Sequence, residues 1–358
     1  MTKPRARALG LPFPGIPGPF NAITDVPGVE VGFCTLSDPA AHLHTGVTAI
    51  LPRGHAGEAI PVWAGHWALN GNGEMTGTHW IDDAGYFLGP VLISNTHAIG
   101  ACHTGAVQWM IDTYVEHFRG PAWAMPVVAE TYDGMLNDIT NLAVKPEHAR
   151  AALDSARSGS VREGSVGGGT GMVAYDFKAG TGTASRQVML DRSYTVGALV
   201  QANFGIRPWL NILGKPVGEL MPEDPILEEE TGSIIVVLAT DAPLSPLTLR
   251  AMAKRAALGI GRSGTVGGHN SGDIFLAFST ANPVPMAARA AWTSTVEQLN
   301  PERVTSLYAA AVEAVDEAVI NALVAGEDTP TFRPPGRICR AIDTIRLAEL
   351  FRGRKDAS

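Results

Sequence analysis

The chain has 358 residues, 45% of them hydrophobic and 17% charged, which is apolar enough to bury a large core and too weakly charged for an intrinsically disordered protein. Glycine and proline are abundant, 40 and 25 residues, so turns and close backbone contacts should be plentiful. The formal charge of −8 comes mostly from one segment, in which Glu219, Glu223, Asp224, Glu228, Glu229 and Glu230 have no basic neighbour. The rest is nearly neutral and lacks the basic face of a nucleic-acid binder, so nucleic acid is not expected as a partner.

No apolar run reaches the roughly 18 residues that span a bilayer, and Pro12, Pro14, Pro17 and Pro19 interrupt the stretch behind the basic start. Neither a membrane anchor nor an export signal is read there. Three widely spaced cysteines, Cys34, Cys102 and Cys339, suit neither a disulfide framework nor a thiolate zinc site. A soluble protein of the cytoplasm is the expectation.

In chain order, a Pro/Gly-rich arm over residues 1–20 precedes short extended runs at Val29–Phe33, Val47–Leu51, Pro90–Asn95 and Met125–Glu130. Helical patterns alternate with them near Ile99–Phe118 and Pro146–Arg157. Extended segments return at Gly171–Phe177, Arg186–Asp191 and Tyr194–Gln201. Between Met221 and Thr231 two prolines and the acidic residues predict an exposed linker. Directly after it, Ser233-Ile-Ile-Val-Val-Leu-Ala239 is an apolar, β-branched run without alternation, as expected of a strand buried on both faces. A helix over Ser245–Leu258, a strand over Ile274–Phe278 and helices near Pro301–Ala325 and Ala341–Phe351 complete the pattern. The strands on either side of the linker need each other for burial, which predicts one domain of mixed α and β structure over residues 1–358.

Two glycine-rich loops invite comparison with nucleotide motifs, and both fail it. Gly164–Gly171 has no Lys-Ser/Thr ending and no following helix, and Gly261–Asp273 leads into a strand. Their glycines are read as letting a substrate backbone approach closely. The ten histidines form no His-Glu-x-x-His or comparable ligand spacing, so no metal and no cofactor is expected.

The strongest local signal is Thr231-Gly232-Ser233, where an acidic linker meets a rigid strand. A Gly-Ser bond there can bring the serine hydroxyl onto its own preceding carbonyl, the geometry of an N-to-O acyl shift. Hydrolysis of the resulting ester would leave Ser233 as a new N-terminus, with its hydroxyl as nucleophile and its α-amine, of reference pKa about 7.7–8.0, as a nearby base. Gly-Ser is also a common turn dipeptide.

The segments Gly232-Ser-Ile-Ile-Val-Val-Leu-Ala-Thr-Asp-Ala-Pro-Leu244, Asn270-Ser-Gly-Asp-Ile-Phe-Leu-Ala-Phe-Ser-Thr-Ala-Asn282 and Ala129-Glu-Thr-Tyr-Asp-Gly134 resemble the DmpA family. That family comprises L-aminopeptidase/D-alanyl-esterase-amidases and β-peptidyl aminopeptidases. The likeness extends over nearly the whole chain, including Ile23–Gly32 and His44–Ile50. It implies an α/β (α+β) fold, a four-layer αββα sandwich similar to N-terminal nucleophile hydrolases but differently connected. It further implies self-cleavage between Gly232 and Ser233 into chains 1–232 and 233–358, with residues 219–232 as the exposed acidic linker. Tetramers of the cleaved heterodimer, a homo-oligomer, and catalysis without metal or organic cofactor are implied as well.

By the same resemblance Ser233 matches the nucleophile, Ser271 and Asp273 its supporting residues, and Asn203 an oxyanion-stabilising amide. Tyr132 matches an active-site tyrosine, and Glu130 a carboxylate that receives the substrate's amino group. Asp273 departs from the Glu of the β-aminopeptidase branch by one methylene. Physically, either the Ser233 amine or the Ser271 hydroxyl relayed toward Asp273 can take the nucleophile's proton; the amine is favoured. Ser271 and Asp273, two apart at a strand start, should point to one face. The reading is a self-processing serine aminopeptidase acting on small N-terminal residues of short peptides, amides or esters. Its alternatives are a self-cleaving acyltransferase of the ornithine acetyltransferase type and an uncleaved small-molecule binding protein.

Overall fold

The computed structural model describes residues 3–56, 58–227, 229, 232–286 and 290–352. Its first half forms β1 (Glu30–Asp38), β2 (Leu43–Leu51), β3 (Val62–Ala68), α1 (Thr78–Ala84), β4 (Tyr86–Phe87), β5 (Val91–Asn95), α2 (Ile99–Thr113), α3 (Val115–Phe118), β6 (Val127–Thr131) and α4 (Pro146–Asp154). A short hairpin, β7 (Val173–Ala174) and β8 (Phe177–Lys178), leads to β9 (Thr181–Met189), β10 (Ser193–Asn203) and α5 (Val217–Leu220). The remainder is β11 (Ser233–Thr240), α6 (Pro246–Gly261), β12 (Asp273–Ser279), α7 (Thr305–Val324), β13 (Thr329–Pro330), β14 (Ile338–Cys339) and α8 (Thr344–Arg352).

Two sheets carry the fold: one of four strands in the order β1-β2-β5-β6, and one of six in the order β4-β3-β12-β11-β10-β9. Strand alternation stacks them. On β11, Ile235, Val237 and Ala239 join Ile50, Ile93 and Ala129 of the smaller sheet in a core between the sheets. Ile234, Val236 and Leu238 point the other way, into a core shared with Met252 and Ala256 of α6 and Val315 and Val319 of α7. The outer face of the smaller sheet, Val47, Ala49, Leu92 and Val128, packs on Ala106 and Met110 of α2 and Ala149 and Leu153 of α4. The layers are therefore αββα, as expected. Because β11 is covered on both faces, each of its aliphatic side chains contributes about 1.5–3 kcal/mol by burial, and no alternation with polar residues is needed.

The larger sheet interleaves strands from both sides of the acidic segment: β11 runs antiparallel to β10 and parallel to β12, which pairs with β3. Neither part covers its own core. Both β3 and α1 are absent from the sequence expectation. The β3 run Val-Trp-Ala-Gly-His-Trp-Ala mixes polar and small residues, and Gly65 is required because a Cβ there would overlap the backbone of Arg250 on α6. The helix expected over Ile99–Phe118 divides into α2 and α3.

The N-terminal arm lies on its own chain. Arg5 pairs with Glu163 at 2.8 Å and Arg7 with Glu317 at 2.9 Å, while Ile16 pairs with Gln187 along β9. The arm thereby covers part of an otherwise open sheet edge. The acidic segment is exposed at Glu219 and over Pro222–Pro225, but Met221 and Ile226 are buried, and Glu223 and Asp224 pair with Arg346 and Arg340. Glu228, Glu230 and Thr231 lie outside the described residues.

Candidate active site

Topology gathers the candidate residues. Antiparallel pairing of β10 with β11 sets Asn203, the last residue of one, opposite Ser233, the first of the other. Parallel pairing of β11 with β12 sets Ile234 beside Asp273, so both strands start at the same edge. Three central strands thus deliver Asn203, Ser233 and Asp273 to one end of the sheet.

Ser233 is buried, and its Oγ accepts the Gly272 N–H at 3.1 Å. On either side of it only glycine fits. A Cβ on Gly232 would overlap the Asn203 carbonyl oxygen, and one on Gly272 would lie 2.5 Å from the Asn72 carbonyl oxygen. Ser271 donates its hydroxyl proton to Asp273 Oδ1 at 2.5 Å. The strand begins at Asp273, so it is this hydrogen bond, and not a shared strand face, that brings the two side chains together. Burial pushes the Asp273 carboxyl above the usual range, and the bonds from Ser271 and Asn70 partly counter it. A serine that donates to a carboxylate keeps its lone pairs free to accept another proton.

The Asn203 side chain is held at both ends: Oδ1 accepts the Val173 N–H at 2.9 Å, and Nδ2 donates to the Tyr132 carbonyl at 2.9 Å. An amide nitrogen carries two protons, so one remains to point at a developing oxyanion. Tyr132 is exposed and, with Asn203, Val173, Phe204, Gly232, Met135 and Leu227, lines a pocket. Its lining combines the polar Asn203 and Tyr132 with the apolar Val173, Met135, Phe204 and Leu227, the usual make-up of a small-molecule site.

Glu130 ends the apolar run of β6 and is 3% exposed. One carboxylate oxygen accepts the Glu74 N–H at 3.0 Å and the other accepts the Thr96 hydroxyl. Burial raises its pKa, while those two donors favour the anion. Carboxylate oxygens have lone pairs beyond these bonds, so an ammonium can still be received.

Residues that sequence reasoning missed hold the site together. Asn70, just past β3, accepts the Asp273 N–H at 2.6 Å and donates to Asp273 Oδ2 at 3.0 Å and to the Gly268 carbonyl at 3.1 Å. Its only local signal is a turn-like Asn-Gly-Asn-Gly run, which does not reveal a partner some two hundred positions away. Asp133, fully buried next to Tyr132, accepts from Asn95 at 3.0 Å and Asn137 at 3.1 Å, and burial pushes its pKa up to about 6. Gln201 crosses between the sheets, donating to the Ser94 carbonyl at 2.9 Å and to the Thr131 hydroxyl at 2.8 Å. The first glycine-rich loop departs from expectation: Gly167 and Gly168 donate their N–H groups to Thr35 and Thr48, so it is the protein's own strands that approach it. Among the described residues, no group of three or more His, Cys, Asp or Glu side chains is arranged to hold a metal ion, and no helix is long and apolar enough to cross a membrane.

Residues 21–334 match the family model for peptidase family S58. The chain is 50% identical to the β-peptidyl aminopeptidase BapA of Sphingosinicella microcystinivorans, over 90% of this chain and 86% of that protein. Among solved structures, the L-aminopeptidase D-Ala-esterase/amidase of Ochrobactrum anthropi superposes with a TM-score of 0.92 at 54% identity, covering 96% of this chain and 97% of that one. That structure is described as a prototype for the serine aminopeptidases and a new variant of the Ntn hydrolase fold. A β-aminopeptidase of Burkholderia sp. superposes with a TM-score of 0.89 at 44% identity, covering 98% of each chain.

Proposed function

The chain belongs to peptidase family S58 and is a serine aminopeptidase on a variant of the Ntn hydrolase fold, and from that premise we propose that it works through Ser233, freed by self-cleavage after Gly232. The observation that carries this reading is the buried Ser233 hydroxyl at the start of β11, bonded to the Gly272 N–H beside the Ser271–Asp273 pair.

In processing, Ser233 Oγ attacks the Gly232 carbonyl carbon, the Gly232–Ser233 C–N bond breaks, and the departing nitrogen takes up the hydroxyl proton. Water then hydrolyses the ester, leaving a Gly232 carboxylate and a free Ser233 amine. In turnover the same oxygen attacks the carbonyl of the substrate's N-terminal residue. The Ser233 amine, of reference pKa about 7.7–8.0, takes the hydroxyl proton and returns it to the leaving amine. Water releases the acyl group from Ser233. Asn203 Nδ2 and Tyr132 stabilise the oxyanion, Ser271 and Asp273 hold the proton donor and acceptor in line, and Glu130 receives the substrate ammonium.

Substrates are short peptides, amino-acid amides or esters with a small first residue; relatives named for β-peptides and for L- and D-residues support a pocket tolerant of backbone type. The same reading includes a cytoplasmic enzyme with three free thiols that assembles as a homo-oligomer of cleaved heterodimers. Denatured intact mass tests the central claim. Fragments 1–232 and 233–358 in wild type, a single chain in Ser233→Ala, and hydrolysis of alanine amides only by the former are expected. An uncut wild type with full hydrolytic activity would overturn it.

A further inference from the structure

The five residues Asn70–Glu74 touch both carboxylates of the site. At one end the Asn70 side chain brackets Asp273, accepting its N–H and donating to its Oδ2. Next, the Asn72 N–H donates to the Ser271 carbonyl at 3.2 Å and the Asn72 side chain to the Asn270 carbonyl at 2.7 Å. At the other end the Glu74 N–H donates to Glu130. Between them stands Gly73, wedged so closely that a Cβ there would lie 3.2 Å from Glu130 Oε1, 3.2 Å from Gly272 Cα and 3.4 Å from Ile274 Cδ1. Gly272 is the residue whose N–H holds Ser233 Oγ. A residue without a side chain thus stands against both Glu130 and the nucleophile's support.

We propose that Asn70–Glu74 is a spacer that fixes the distance from Glu130 to Ser233 and so selects the backbone length of the N-terminal residue cleaved. This rests on the reading of Glu130 as the ammonium anchor and Ser233 as the nucleophile. An α-aminoacyl and a β-aminoacyl substrate differ in the span from ammonium to scissile carbonyl by one carbon–carbon bond, about 1.5 Å. Misplacement of about 1 Å at a reacting centre can cost about 10²-fold in rate, so a spacer held by hydrogen bonds at both ends discriminates between them. A methyl group on Gly73 would meet Glu130 and Gly272 at 3.2 Å, so both must give slightly, in the direction that lengthens the span and favours the longer substrate.

The test compares kcat/KM for L-alanine p-nitroanilide and β-homoalanine p-nitroanilide in wild type, Gly73→Ala and Glu130→Asp, with self-cleavage followed by intact mass and folding by circular dichroism. Glu130→Asp withdraws the anchor by one methylene, and with it the acceptor of the Glu74 N–H, leaving the spacer residues themselves unchanged. Both variants should raise the β-to-α ratio by about fivefold or more, chiefly through KM for the α-substrate. A ratio within about twofold of wild type in a self-cleaved Gly73→Ala enzyme overturns the proposal and leaves the aminopeptidase reading intact. A shift in Gly73→Ala with none in Glu130→Asp also overturns it, since the spacer would then act through something other than Glu130. Should Gly73→Ala fail to fold, Asn72→Ala takes its place, adding no atoms and freeing the spacer from Asn270; an unchanged ratio there overturns the proposal. Hydrolysis of neither substrate by self-cleaved wild type would overturn the site reading itself.

Discussion

Gly164–Gly171 and Gly261–Gly272 share a composition, yet their glycines answer different demands. In the first loop Gly167–Gly171 are buried, with N–H groups spent on Thr35 and Thr48 and faces pressed on strands of both sheets. In the second, Gly261 is exposed, Gly267 and Gly268 are half-buried, Ser263 is buried against Tyr175, and the chain enters the core again at Ser271 and Gly272, where Ser233 is met. Glycine in the first loop lets two sheets approach; glycine at 272 lets a backbone N–H reach a hydroxyl. Composition alone does not separate a packing loop from a loop of the site, because the difference lies in what stands opposite.

Variants in the two regions should therefore fail in different ways. The largest effect is expected at the residue the second loop serves: Ser233→Ala should abolish self-cleavage and lower hydrolysis by about 10⁴-fold or more, read by intact mass and amide turnover. Ser271→Ala removes the hydroxyl that donates to Asp273 and, on the proposed mechanism, should lower kcat by about 10²–10⁴-fold, with the thermal midpoint near that of wild type. Asn70→Ala strips a charged acceptor of one donor, worth about 1.5–3 kcal/mol, and should lower kcat/KM by about 10–100-fold. In the first loop, Gly168→Ala forces a methyl against Gln201 and the Ile93 carbonyl. It should cost about 1–3 kcal/mol of stability by overpacking, seen in a denaturant midpoint, while kcat of the folded enzyme stays close to wild type. A Gly168→Ala enzyme that is stable but inactive would break the distinction.

The smallest effect is in pH dependence. In the proposed mechanism Asp273 and Glu130 act as anions, and burial raises the pKa of both. Activity should thus fall first as the Ser233 amine, the proposed base of reference pKa about 7.7–8.0, is protonated, and steepen as pH drops further through the raised carboxyl values, above the ordinary carboxylate range of about 3.9–4.3. For stability the sign is opposite: a carboxyl with a raised folded-state pKa favours the fold most below its unfolded value, and that contribution fades as pH rises through the folded one. Asp133, at about 6, should make its contribution to stability decline between about pH 4 and 6, a trend that Asp133→Asn should flatten in pH-dependent unfolding.

Much of the site was legible along the chain. The abrupt change from acidic segment to β-branched run marked Ser233 as a strand start, and the Ser271-Gly-Asp273 spacing matched a recognisable pattern. Glu130 lay at the end of an apolar run. What spacing left open was which groups meet. The Asn203 amide is oriented by Val173 and by the Tyr132 carbonyl, contacts that no local pattern encodes. Asn70 looks like a turn residue and becomes part of the site only because β3 pairs with β12.

By itself the sequence determined that β11 is a doubly buried strand and that helices and strands alternate, since these follow from hydrophobic runs and turn residues. Only the tertiary structure decided that β3, with its mixed composition, enters the larger sheet, that the N-terminal arm lies on its own chain, and that Asn70–Glu74 joins two carboxylates. Such contacts link positions far apart in the chain, and their free energy comes from groups whose identity no local window contains.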